Sequence, residues 1–168
     1  YPVSVVGFVA DDVKTEREQF VLVNNVRPLP KSLVYELLPS LDGAIPPKFA
    51  KRQRAYRLLE RLNHGEDSPF RGRIKTETNK SDPQAVIKDL SVLKMIENSF
   101  ENGILALYPK SEQEPYKILR NYWSAVAETF PKAWRLPPRQ SRLTHGVGIV
   151  SMGYLMDAII GRLRAEKT

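Results

Sequence analysis

Phe20-Val21-Leu22-Val23-Asn24-Asn25-Val26-Arg27-Pro28-Leu29-Pro30-Lys31-Ser32-Leu33 is the stretch on which the architecture turns. An apolar run leaves one element and stops at two asparagines. Arg27 stands between them and a Pro-x-Pro corner, and Lys31-Ser32 opens a second apolar run from Leu33 to Leu38. Asparagine tolerates the backbone conformations that end a helix, and each proline fixes φ and removes a donor. The segment is therefore expected to be a rigid bend that offers Asn24, Asn25, Arg27 and Lys31 on one surface. Polar groups held on a stiff corner suit a charged ligand; a plain helix–loop–helix joint is the competing account.

On the N-terminal side of the bend, Val3 to Ala10 is continuously apolar and rich in β-branched residues, which predicts a buried strand. Asp11 or Asp12 caps a helix that runs to about Val23. On the other side, Ser32 caps a short helix that Pro39 stops, and a Gly/Pro connector leads to Pro47. The spacing then predicts a helix over Lys48–Asn63. Phe49, Ala55, Tyr56, Leu59 and Leu62 form its apolar stripe, and Lys51, Arg52, Arg54, Arg57 and Arg61 cover the rest. Phe70-Arg71-Gly72-Arg73-Ile74-Lys75 alternates cations with apolar or small residues, an extended pattern with three cations on one side. Phe70 is read as an anchor into the core rather than a base-stacking ring. Thr76 to Pro83 is polar and expected to be mobile.

Further along, Asp89 or Ser91 caps a helix that closes at Asn102-Gly103, and Ile104 to Tyr108 is too short to classify. Tyr116, Leu119, Tyr122, Trp123, Val126 and Phe130 mark a core helix from about Pro115 to Phe130, with Trp134 covering the end of a bundle. Leu136 to Thr144 is a loop of prolines and cations that leads to Gly146-Val147-Gly148 and a helix over Ile149–Ala165. Gly-x-Gly beside a helix start can cradle phosphate. Here the preceding strand and the third glycine are missing, so close helix packing at Gly148, Ser151 and Gly153 is the better account.

Composition bounds the function. The 168 residues, 42% hydrophobic, suffice for one core with a small appendage, and the absence of cysteine excludes disulfides, thiolate catalysis and zinc-thiolate sites. His64 and His145 lie far apart, so no metal site is expected. No apolar stretch is read as reaching the ~20 residues of a membrane span, and a cytoplasmic location is the default. The net charge is +7, and between Lys48 and Lys75 nine Lys or Arg stand against three acids. Positive charge concentrated in this way favours polyanions and makes their binding salt-sensitive. A solvated basic helix face is the alternative. Asp11-Asp12 and Glu66-Asp67 do not converge, no serine sits in a nucleophile elbow, and no Walker loop is present. Catalytic residues are therefore assigned to none of the chain.

Phe20-x-x-Val23-Asn24 followed by Arg27-Pro28-Leu29-x-Lys31-Ser32-Leu33 resembles the segment after the signature motif of DGQHR-domain proteins. That family includes the DndB-type regulators associated with DNA phosphorothioation in bacteria and is distantly related to ParB-like proteins. The similarity continues through Ser68-Pro69-Phe70-x-Gly72-x-Ile74-Lys75 and Leu143-Thr144-x-Gly146-x-Gly148. The naming pentapeptide Asp-Gly-Gln-His-Arg is not in these residues, so the resemblance implies the C-terminal part of a longer protein. It also implies an α+β fold, predominantly helical: residues 1–45 remaining from a ParB-like α/β domain with the Asn-Pro corner, and 46–168 forming a helical bundle with the cationic helix.

The resemblance further implies a DNA-binding or DNA-associated regulator linked to DNA modification or defence. Lys51, Arg52, Arg54, Arg57, Arg71, Arg73 and Lys75 would hold phosphates without reading sequence. By analogy Asn24, Asn25, Arg27 and Lys31 would complete a phosphate or nucleotide site, which makes nucleotide hydrolysis in a longer protein the alternative. A protein–protein adaptor is the third reading. No cofactor is expected other than that nucleotide, and DNA and a homo-oligomeric copy are the expected partners.

Overall fold

Five buried side chains on one face of a basic helix, Ala55, Tyr56, Leu58, Leu59 and Leu62, nucleate the core. The computed structural model describes residues 12–23 and 47–166 together with 7, 9, 33, 36 and 37, and of 47–51 the backbone alone. Of the buried strand expected over Val3 to Ala10 only Gly7 and Val9 are described, and both are exposed and in no strand, Val9 at 97%, so the expectation of burial fails at those two positions. The Asn24–Lys31 corner and the 45/46 division lie outside the described residues. Among those described, six α-helices, one 3-10 turn and a two-stranded sheet make a predominantly helical α+β fold.

Helix α1 (Val13–Val23) opens where Asp12 Oδ1 accepts from the Thr15 amide at 2.6 Å, a side-chain cap at the expected residue. Helix α2 (Pro47–His64) begins with proline in its first turn, where the missing N–H costs nothing. The chain then turns through residues 65–73 into β1 (Ile74–Lys75). Strand β1 pairs in parallel with β2 (Ile87–Lys88), which runs directly into α3 (Asp89–Asn102). After the 3-10 turn (Ile104–Leu107) come α4 (Gln113–Thr129), the short α5 (Pro131–Arg135) and α6 (Gly146–Ala165).

Helix α3 is the central element and packs on both α2 and α6. Val92, Leu93, Met95 and Ile96 are buried along it, and Met95 lies where a Cβ on Gly153 of α6 would stand. The α3–α6 approach is thus as close as glycine allows, in line with the small-residue pattern. At the far end Asp157 of α6 accepts from Ser99 Oγ at 2.5 Å and from the Ile104 amide at 3.0 Å, which caps the 3-10 turn. Phe70 is fully buried with its ring edge-on to Trp123 at 5.0 Å and to Trp134 at 5.3 Å. Such rings contribute about 0.5–1.5 kcal/mol per pair beyond their buried area. Phe70 is therefore the core anchor that its position after Ser-Pro suggested.

Three expectations change. The extended pattern over Phe70–Lys75 shrinks to two strand residues, because Ser68 to Arg73 is folded into turns around Gly72, whose φ of 66° only glycine adopts readily. Residues 76–83, expected to be mobile, are tied down: Asn79 accepts from the Thr76 amide and donates to the Ile74 carbonyl, and Glu36 accepts from the Glu77 amide. Finally, α6 starts three residues earlier than expected and spans 20 residues, long and apolar enough by length and composition to cross a membrane. The expectation that no stretch reached that length is corrected. Ile149, Gly153 and Met156 of this helix are buried in the fold.

Candidate nucleic-acid interface

The short parallel pair sets up a strongly cationic surface. In its register Ile74 faces Ile87 and Lys75 faces Lys88. Both isoleucines are fully buried, so both lysines must point outward, side by side on strands about 4.8 Å apart. Like charges opposite one another on a sheet repel. Among the described residues no carboxylate pairs with either.

The loop over residues 136–145 forms the facing wall. Its polar side chains with small volume are turned inward: Thr144 is 1% exposed and donates to the Leu136 carbonyl at 2.9 Å, and buried Ser141 accepts from the Leu143 amide at 3.2 Å. Gln140 and Ser141 amides both donate to the Pro137 carbonyl. A Cβ on Gly148 would collide with the Arg142 carbonyl, so the loop lies directly on the first turn of α6. Pinned in this way, the loop leaves Arg139 and Arg142 exposed beside the lysine pair, and neither has an acid partner among the described residues.

Together these walls enclose an open groove of about 860 Å³ lined by Lys75, Lys80, Lys88, Arg139, Arg142 and His145, with Asp82 as its one lining acid. Lys80 is paired with Glu77 at 2.9 Å, and that hydrogen bond holds its ammonium above the usual lysine range. His145 sits at the N-cap of α6 and accepts from the Val147 amide at 3.3 Å.

A family model described as "DndB: DNA-sulfur modification-associated" matches residues 1–165. The chain belongs to the DndB family. No curated protein matches it, and no solved structure does. A DndB-family chain is thus associated with sulfur modification of DNA, and the resemblance carried by the Asn-Pro corner and the Ser-Pro-Phe segment agrees with that assignment.

Of the residues expected to hold phosphate whose side chains are described, Lys75 is the one that lines the groove. Arg52 donates to Glu97 at 2.7 Å, and Arg57 lies 3.5 Å from Glu112. Arg54 donates to the carbonyls of Tyr108 and Ser111 and lies over the Phe100 ring; burial lowers its pKa. Arg73 donates to the Trp134 carbonyl at 2.7 Å above that indole, and burial lowers its pKa as well. These cations secure helix ends and core edges. Arg71 is exposed on the turn before β1. Lys51 is helical, and its side chain lies outside the described residues, as do Asn24, Asn25, Arg27 and Lys31.

Sequence reading missed Lys88, Arg139 and Arg142 as partners of Lys75. A signal for two of them was present in the cation-rich loop after Leu136. Lys88 had none, because nothing in the sequence marks a two-residue strand pairing across residues 76–86.

Proposed function

We propose that this chain binds the sugar-phosphate backbone of DNA through the groove between the β1–β2 pair and the 136–145 loop, as a DNA-associated regulatory protein of the phosphorothioation system in the bacterial cytoplasm. The observation that carries the reading is the adjacent pair Lys75 and Lys88, which no carboxylate pairs with among the described residues, joined by Arg139 and Arg142 on the opposite wall. A phosphate between them relieves their mutual repulsion and releases the counterions that both partners otherwise hold. Flexible lysines and exposed arginines suit backbone contacts, which fix position without reading sequence. Membership of a family associated with DNA-sulfur modification supports DNA as the polyanion.

The test is duplex binding measured across a salt series. Wild type is expected to bind with affinity that falls steeply with salt. Replacing Lys75 and Lys88 together with glutamine is expected to lower affinity about tenfold or more and to flatten the salt slope by roughly two. Unchanged affinity in that variant refutes the assignment of the groove.

A further inference from the structure

One end of the groove changes character. Past Lys88 and His145 it continues into a recess of about 540 Å³ whose walls include Val86, Leu90, Pro138, Val147 and Val150, with Lys94 as a further cation and Ser91 and Ser151 as polar groups. Leu90 is 42% exposed and Val147 is 68% exposed, so this apolar surface is open to solvent immediately beside the cations. Val86, Lys88, Pro138 and His145 line both parts. A ligand that reaches from one into the other must therefore present negative charge and a poorly hydrated atom within a few ångströms of each other.

An ordinary phosphodiester does not meet that demand. Both non-bridging oxygens carry charge and are strongly hydrated, and pressing one against valine and proline strips its water without replacement. A phosphorothioate does meet it. Sulfur in place of one non-bridging oxygen keeps the single negative charge while offering a larger, more polarisable atom that loses less on leaving water and gains more from dispersion contacts. We infer that the groove recognises a phosphorothioate linkage in DNA, with its charge between Lys88 and the loop arginines and its sulfur against Val147 and Pro138. The inference rests on the backbone-binding reading and adds to it the chemical form of the linkage. Because the recess opens from one end of the groove, the two configurations at phosphorus, which direct sulfur differently, are expected to bind unequally.

The experiment compares the full chain on three duplexes of one sequence that carry, at a single linkage, a phosphate, an Rp phosphorothioate or an Sp phosphorothioate. One diastereomer is expected to bind about three- to tenfold more tightly than phosphate. Val147→Ser, on the surface, is expected to erase that preference, bringing the favoured diastereomer to the affinity of the unmodified duplex. Arg139→Gln with Arg142→Gln is expected to weaken all three alike. Equal affinity for the three duplexes, or a preference that survives Val147→Ser, overturns the inference yet leaves backbone binding standing. Failure of wild type to bind any duplex removes both.

Discussion

Single residues divide sharply into those whose charge is used inside the fold and those left facing water. Asp89 is the extreme case: 7% exposed at the first turn of α3, it accepts from the Leu90 amide through Oδ1, while Oδ2 has no hydrogen-bond partner among the described residues. Burial raises its pKa, and the nearby charges of Glu36 and Glu77 raise it further against the lowering effect of the amide. A carboxyl with a raised folded-state value holds more protons folded than unfolded between the two values. Stability therefore falls as pH climbs from the ordinary 3.8 through the raised value. Asp89→Asn keeps the acceptor for Leu90 and carries no charge. It is expected to melt about 2–4 °C above wild type at neutral pH, corresponding to about 1 kcal/mol, with the gap closing in acid. Thermal denaturation across pH checks this, and a variant that melts lower at neutral pH contradicts it. Asp67 behaves in the opposite sense. Hydrogen bonds from Tyr116 and Arg120 lower its pKa, so its clip between α4 and the turn after α2 loosens as pH falls.

At the scale of elements, the helices were legible in the sequence because their periodicity and stops are local. The Tyr56–Leu59–Leu62 stripe, Pro47, the Asn102-Gly103 stop and the apolar face from Tyr116 to Val126 each lie within one element. The groove was not legible, since it joins a two-residue parallel pair to a loop about fifty positions later, and no local pattern encodes that pairing. Arg73 shows the same limit. Its alternation with Ile74 and Lys75 suggested an outward cation, but Trp134 comes from a distant helix and holds it inward. Gly148 links helix packing to the groove. Its Cβ would meet the Arg142 backbone, which cannot yield as a side chain can, whereas the Cβ of Gly153 would meet the flexible Met95 side chain. Gly148→Ala is expected to cost about 1–3 kcal/mol and to weaken duplex binding by displacing Arg142. Gly153→Ala is expected to cost somewhat less, about 1–2 kcal/mol, because the buried Met95 Cγ must shift but is side chain rather than backbone, and better helix propensity offsets part of the crowding. Chemical denaturation of the two variants side by side tests the ranking.

Over the whole molecule, net charge is a poor guide to where a polyanion binds. The densest cationic segment, Lys48 to Lys75, contributes Arg52 and Arg57 to ion pairs and Arg54 and Arg73 to carbonyls and rings, while the groove draws on Lys75, Lys88, Arg139 and Arg142 from across the chain. Replacing Arg57 with glutamine is accordingly expected to change duplex affinity less than about twofold, and its exposed pair with Glu112 contributes little to stability. A loss comparable to that of the lysine double variant would move the interface back to α2. A further consequence follows from Asn63, which is buried and whose side-chain amide bonds both the N–H and the C=O of Ile74. Those are the groups that β1 turns away from β2, so one amide side chain occupies the position of a third strand. The β1 edge is thereby closed to edge-on growth by a neighbouring molecule, which leaves Lys75, rather than the peptide backbone, as what that edge offers to the outside.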